Sequence, residues 1–290
     1  MKFYKNKYSF EKMCQILKVD RSSYYKWLKR GKSKRQQYNE ELLVLIRQEY
    51  IKSGCLYGSP RITAVLKKNN VACSRPRVAR LMRQNNIVSK IKRRYKATTD
   101  SMHKYEVSKN LLEKRVTVSK PNEVWVSDIT YIPTKEGFIY LTTVMDLYNR
   151  EIVGHSKSNS LTAIDTTMKA LRNACIKRRP YSGLIFHSDR GVQYACNDFR
   201  KLLNSYGMKQ SMSGKGNCYD NAVAESFFKT LKTELIYQKK GGYKSKEDAR
   251  REIFEYIECF YNSKRLHSAL GYNSPREYLE KYYRGYYKCA

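Results

Sequence analysis

The chain has 290 residues and a mass of 34.2 kDa, enough for two or three domains with sizeable cores, which excludes a mini-protein held together by staples. Its 58 Lys and Arg against 26 Asp and Glu leave a net charge of +32, which argues against an ordinary enzyme of small neutral metabolites. Such an excess suits a polyanion, nucleic acid first, because basic side chains release the counterions condensed on phosphates. No run approaches 18 apolar residues, and the start MKFYKNKYSFEK lacks the apolar core of a signal peptide, so a cytoplasmic protein without a membrane partner is expected. The eight cysteines are scattered singly, with no CxxC pair, and read as reduced structural thiols rather than a zinc site.

Charge divides the chain unevenly, +22 over residues 1–118 and +10 over 119–290. The first part reads as a binding arm. In CQILKVDRSSYYKWLKR a short helix, a turn around Val19 to Arg21 and a second helix give a helix-turn-helix-like segment over residues 1–35. A second helical, helix-turn-helix-like domain is expected over 36–90. There Ser59 and Pro60 start a helix with an Ile62, Val65, Leu66 stripe, Asn69 and Asn70 end it, and Ser74 caps the next. In RPRVARLMRQNN, Val78, Leu81 and Met82 recur at helical spacing and turn inward. Arg75, Arg77, Arg80 and Arg83 are left to line an exposed side fitted to a DNA groove. Residues 91–120, with Lys92, Arg93 and Arg94 in KIKRRYK, read as a basic linker that follows backbone phosphate.

From Pro121 the pattern changes. NEVWVSDITYI alternates as a strand with Val124, Val126, Asp128, Thr130 and Ile132 on one side; FIYLTTVMDL and Arg150 to Lys157 supply two more. A helix opens near Thr162, where Thr162 and Asp165 match a capping box. LIFHSD is a short apolar run suited to a strand buried on both faces. A helix from Asn197 through Leu203, a candidate last strand in MKQSMS, and a long helix from an Asp220 cap to Ile236 complete a core over 121–240. Two further helices, entered through Ser245 with Asp248 and through Ser274, Pro275 and Glu277, occupy 241–290. The fold class is α/β, a mixed sheet with flanking helices, preceded by the small helical domains.

Three carboxylates stand in odd places: Asp128 inside an apolar strand, Asp189 at the end of the buried strand, and Glu225 early in the long helix. Desolvating a carboxylate costs several kcal/mol unless a positive partner meets it. Magnesium prefers oxygen ligands, with phosphate and water completing its octahedron. Acids converging from separate elements therefore suit phosphoryl transfer with two ions about 4 Å apart. Asp146 has the plainer reading of a cap or a partner of Arg150. Lys229 and Lys232 follow Glu225 at helical spacing and are candidates to hold DNA, the first also read as an i, i+4 partner of Glu225. Asn221, one turn before Glu225, is read as orienting a ligand or touching DNA. Asn262, Arg265 and His267 cluster in YNSKRLHSALGY.

Between Asp189 and Glu225 stand 35 residues, and between Asp128 and Asp189 stand 60. With WVSDITYI, YLTTVMDLYNREIVG, FHSDRGVQY, SMSGKGNCYDNAVAESFFKTLKTE and YNSKRLHSALGYNSPREY in that order, the chain resembles the bacterial insertion-sequence-three type transposase, in particular its catalytic second reading-frame product, over residues 40–285. The resemblance implies an RNase H-like, retroviral integrase-type fold and a magnesium-dependent DNA strand transferase, with manganese able to substitute. It implies Asp128, Asp189 and Glu225 as metal ligands, favours DNA for Lys232, and for Asn262, Arg265 and His267 favours contact with DNA or with the catalytic core over a satisfied turn. The implied partners are element terminal inverted repeats and target DNA, a homodimer or larger assembly on DNA, and an upstream reading-frame product as fusion or partner; the implied setting is nucleoid-associated.

Two other readings compete. HSDR also fits the HxxR of tyrosine recombinases, which would need His187 and Arg190 to aim at a phosphate. A DNA-binding regulator that keeps the fold without the chemistry is the second, and the presence of all three acids argues against it.

Overall fold

The structure, a computed structural model, describes residues 1–4, 6–90, 107–112, 117–214 and 222–289. The chain forms two compact units, residues 1–88 and 89–290.

In the first unit, α1 (Phe10–Ile16) is capped by Ser9 and α2 (Arg21–Lys29) by Asp20, whose carboxylate accepts the Ser23 N–H at 3.0 Å. Phe10 packs its ring on Tyr24 and Tyr25, and Met13, Cys14 and Tyr24 are buried, so the expected pair of short helices forms around a small aromatic core. The next helix, α3 (Lys34–Lys52), is absent from the sequence expectations. Its buried stripe is narrow, chiefly Leu42 and Ile46 at i, i+4, while the apolar Val44 and Ile51 face solvent and blur the periodicity. Ser33 and Gln36 close a reciprocal capping box at its start. Then α4 (Ser59–Lys68), with Pro60 in its first turn, and α5 (Arg75–Gln84) bury Ile62, Leu66, Val78, Leu81 and Met82.

The second unit is built on a five-stranded sheet in the order β3-β2-β1-β4-β5. β1 (Val124–Thr134), β2 (Gly137–Asp146) and β3 (Ile152–Ser158) form an antiparallel meander, and β4 (Ile185–Ser188) and β5 (Lys209–Met212) add in parallel on the other side of β1. The parallel half has its helical crossovers. A π turn (Ile164–Met168) leads into α6 (Lys169–Arg178), while α7 (Val192–Ala195) and α8 (Asn197–Ser205) connect β4 to β5. Of the expected capping box only half forms: the Asp165 N–H donates to the Thr162 hydroxyl at 3.3 Å, but the Thr162 N–H donates to Ser160 instead, and the Asp165 carboxylate accepts the Thr162 hydroxyl at 2.8 Å. The third strand starts at Ile152 rather than Arg150, because Asp146 to Glu151 are taken up by a turn in which Arg150 has φ 61°.

Alternation along the strands makes two cores. One face, with Val126, Ile132, Ile139, Leu141, Met145 and Ile152, packs under α9 (Ala222–Glu234) and α10 (Lys246–Phe254), which offer Phe227, Phe228, Leu231, Ala249 and Ile253. The other, with Trp125, Val144, Val153, Phe186 and Met212, is covered by α6 and α8 through Ala170, Leu171, Ala174, Phe199 and Leu203. The approach of α6 demands Gly154: a Cβ there would press on the carbonyl oxygen of Ala170 and lie 2.7 Å from the Ala174 nitrogen. A final helix, α11 (Pro275–Cys289), opens with Ser274 and Glu277 in a reciprocal cap, the Ser274 N–H donating to Glu277 at 2.9 Å. Among the described residues no helix is long and apolar enough to cross a membrane.

Candidate active site

The register of the sheet builds the site. β1 and β4 pair in parallel from Val124 with Ile185 to Ser127 with Ser188, so Asp128 and Asp189 occupy matching positions one residue past the last pair. Asp128 continues in β1, while Asp189 stands at the carboxyl end of β4, where the chain leaves the sheet. Such strand ends, next to the point where crossovers part, are where open α/β sheets hold ligands. Glu225 lies in the first turn of α9, the helix laid over the Val126 face of β1, and its side chain is exposed.

The charges of these groups act on one another. Burial, the largest cause, pushes the Asp128 carboxyl up to about 8, and the negative charges of Asp189 and, more weakly, Glu225 push the same way. The Ile129 N–H, 2.8 Å from Asp128 Oδ1, and the Lys232 ammonium oppose them. Lys232 is half-buried, and its own burial lowers its basicity while Asp128 raises it. Asp189 is fixed by its own turn, Oδ1 accepting the Gly191 N–H at 2.9 Å, and a Cβ on Gly191 would approach that oxygen to 3.0 Å. From the opposite face of the sheet, Ser127 Oγ and Tyr194 Oη meet at 2.7 Å. Burial, then Asp189 and Asp128, push the Tyr194 phenol well above its usual range, so it keeps its proton.

Among the described residues, no three His, Cys, Asp or Glu side chains are gathered tightly enough to hold one metal ion. The structure brings Asp128, inside β1, and Asp189, just past the end of β4, to matching positions on adjacent strands, with Glu225 on the neighbouring helix. The donor set suits magnesium or manganese, since every acid offers hard carboxylate oxygen, and the excess of negative charge around a desolvated Asp128 is what a divalent cation would neutralise.

The remaining expected site residues separate into groups. Lys92, Arg93, Arg94 and Asn221, with the Asp220 cap, lie outside the described residues. Arg75, Arg80 and Arg83 are exposed on α5, but Arg77 is turned onto the protein, with its guanidinium 4.4 Å from the Tyr38 ring centroid and Nε donating to Asn39 at 2.9 Å. Lys229 is exposed on α9. Arg265 is not presented to DNA: it is 5% exposed, and Nε and Nη2 donate to Glu234 at 2.8 and 2.7 Å. A guanidinium buried in a bidentate pair has its planar fork occupied. His267 is half-buried, its ring edge-on to Tyr261 with centroids 4.8 Å apart. Asp146 proves to be a cap, as the plainer reading expects: its carboxylate accepts the Asn122 and Tyr148 N–H groups at 3.0 Å, and Arg150 meets it through the backbone, its N–H donating to the Asp146 carbonyl at 2.8 Å. Burial raises its carboxyl to about 6 against those two bonds. His187 and Arg190 do not aim outward as a recombinase pair: His187 is fully buried and Arg190 Nε donates to the Ser213 carbonyl at 2.7 Å.

Sequence reasoning passed over the Ser127 and Tyr194 pair and the hydroxyls of Ser211 and Ser213. The signal for the latter was present: serines at alternate positions at the end of a buried strand, opposite a histidine on its neighbour.

Comparisons with known proteins agree on one family. Models described as an integrase core domain match residues 118–218 and 206–275, and one described as an HTH-like domain matches 37–95. The chain is 42% identical over 272 residues to the insertion element IS600 uncharacterized 31 kDa protein of Shigella sonnei, covering 94% of this chain and 99% of that protein. It is 37% identical over 276 residues to the transposase InsF for insertion sequence IS3A of Escherichia coli (strain K12), covering 94% of this chain and 95% of that protein. Among solved structures, the catalytic core domain of BIV integrase aligns with a TM-score of 0.43 at 19% identity, over 57% of this chain and 99% of that one.

Proposed function

Because the chain belongs to the insertion-sequence transposases with an integrase core, a group of polynucleotidyl transferases, we propose that Asp128, Asp189 and Glu225 are the acids of its DNA cleavage and joining site. The observation that carries this is the matched placement of Asp128, within β1, and Asp189, at the end of β4, each one residue past the last pair of those two strands, with Glu225 on the helix packed over the same face. Two divalent ions, magnesium first and manganese as a substitute, are the cofactors that this donor set would hold; when bound they supply Lewis acidity to the attacking and leaving oxygens.

Each residue then has a task. Asp128 and Asp189 offer carboxylates from a rigid sheet, which fixes their separation, and Glu225 closes the site from α9. Lys232, in the field of Asp128, holds a phosphate oxygen of the strand being cut. Lys229, exposed one turn earlier on α9, reaches the flanking backbone. In the first step a water attacks the phosphodiester at an element end and the 3′ oxygen leaves as a hydroxyl. In the second that hydroxyl attacks a target phosphodiester in line, one P–O bond forming as another breaks, with no protein atom joined to DNA.

The DNA is proposed to be the terminal inverted repeats of the element and the target duplex, with Arg75, Arg80 and Arg83 of the first unit on phosphate and base edges. Synapsis of two ends requires a homodimer or larger assembly, and an upstream reading-frame product is the proposed fusion or partner. Glu225→Gln tests the reading: magnesium-dependent cleavage and joining of labelled element ends should be lost while DNA binding is retained. Unchanged cleavage in that variant, or full activity in excess chelator, overturns it.

A further inference from the structure

Two residues before Asp189, β4 carries a fully buried histidine, His187, whose ring faces hydroxyls on the neighbouring strand and its extension. Its Nδ1 is 2.8 Å from Ser211 Oγ, and its Nε2 is 3.3 Å from Ser213 Oγ. Ser213 Oγ donates to the carbonyl of Ser188 at 3.2 Å, and the Ser213 N–H donates to the same carbonyl at 3.0 Å. A hydroxyl has a single proton to give, and with that proton on the Ser188 carbonyl, Ser213 accepts from Nε2–H. In a neutral ring this leaves Nδ1 to accept from Ser211. Ser211 retains a lone pair, and it receives the backbone N–H of Leu111 at 2.9 Å. Beside it, Ser108 Oγ donates to Gln210 Oε1 at 2.9 Å.

In that tautomer the donors run one way: from the Leu111 amide through Ser211, His187 and Ser213 to the carbonyl of Ser188, the residue directly before Asp189. Two donors on that carbonyl, and the Arg190 Nε bond to the Ser213 carbonyl at 2.7 Å, fix the peptide from which the Asp189 side chain departs. A buried polar chain is costly if any link is left open and rigid if all are closed. An apolar filling would have given packing without orientation.

We propose that His187 and Ser211 are positioning residues for Asp189, latched from outside by segment 107–112 through the Leu111 amide. The inference rests on the reading of Asp189 as a metal ligand. Three variants of the full chain test it. Ser211→Ala removes the central hydroxyl, Ser211→Thr keeps it, and Leu111→Pro deletes the amide proton at a position 40% exposed without touching the buried ring. One readout is backbone hydrogen exchange of residues 108–112 in metal-free protein. The other is the magnesium concentration for half-maximal cleavage of a labelled element end, repeated with manganese.

In Ser211→Ala, exchange at Leu111 should accelerate at least about tenfold and the magnesium midpoint rise about tenfold, the deficit shrinking in manganese, which tolerates looser geometry. Leu111→Pro should raise the midpoint in the same direction, and Ser211→Thr should restore both readouts. A merely structural role would lower thermal stability and leave the metal midpoint in place. Unchanged midpoints in Ser211→Ala and Leu111→Pro, or a Ser211→Thr variant as impaired as the alanine, overturn the proposal. If Ser211→Ala does not fold, Leu111→Pro decides alone. Full activity of Asp189→Asn would sink the metal-ligand reading while leaving the exchange result intact, so the two can fail separately.

Discussion

Asp128→Asn should make the metal-free protein more stable, although it removes a central catalytic group. The native carboxyl sits at about 8 against an ordinary 3.8, with burial first and the charges of Asp189 and Glu225 behind it. Each pKa unit corresponds to about 1.4 kcal/mol, so the raised value implies up to about 4 kcal/mol of native-state penalty at pH 7, and solvent access to a half-buried group cuts this to about 2–3 kcal/mol. The sign follows from proton binding. Below about pH 4 both folded and unfolded forms hold the proton and nothing is lost. As pH rises from about 4 to about 8 the unfolded form ionises first, and the native state loses stability progressively. Asparagine carries no charge and keeps an oxygen for the Ile129 N–H, so its profile over this window should be flat by comparison. For a unit of roughly 200 residues, 2–3 kcal/mol moves the melting temperature by about 4–12 °C. Thermal unfolding in excess chelator at several pH values reads this directly. Excess magnesium should reverse the order, raising the wild-type midpoint and leaving Asp128→Asn nearly unmoved. A variant that melts below the wild type in chelator at pH 8 refutes the picture of frustrated acids.

Three other outcomes are expected. Gly154→Ala forces a methyl against the Ala170 carbonyl and the Ala174 backbone, where neither neighbour is a flexible tip, so chemical denaturation should show a loss of about 1–3 kcal/mol or more. Arg265→Met strands Glu234 in a site where that acid is 6% exposed; breaking such a pair costs about 3–5 kcal/mol, and denaturation midpoints should fall accordingly before any DNA-binding defect is seen. Arg80→Ala and Arg83→Ala should each weaken DNA binding and reduce the salt slope by about one. Arg77→Ala, whose guanidinium is spent on Tyr38 and Asn39, should lower the stability of the first unit more than it changes that slope.

What could be read in the sequence, and what could not, follows from the range over which each signal acts. Asp128 was legible because a carboxylate among Val124, Trp125, Val126 and Ile129 contradicts its own strand, and a local contradiction needs no partner to be seen. The helix starts at Ser245 and Ser274 were legible for the same reason, each cap being complete within four residues. The helix α3 was not, since Val44 and Ile51 lie on its exposed side and only packing decides which apolar residues are buried. Arg265 shows the converse error. A basic residue near the end of a basic chain reads as a phosphate ligand until the fold brings Glu234, 31 positions away, into bidentate contact with it. The chain of donors behind Asp189 is hidden more deeply, because it joins Leu111, His187, Ser211 and Ser213 across 102 residues, and none of the four is unusual where it stands. Charge conflict in one strand announces a reactive group, whereas the groups that aim it are ordinary residues made special by register. Polar side chains at interior positions of neighbouring strands are therefore the pattern to search for around such an acid, before any exposed lysine or arginine.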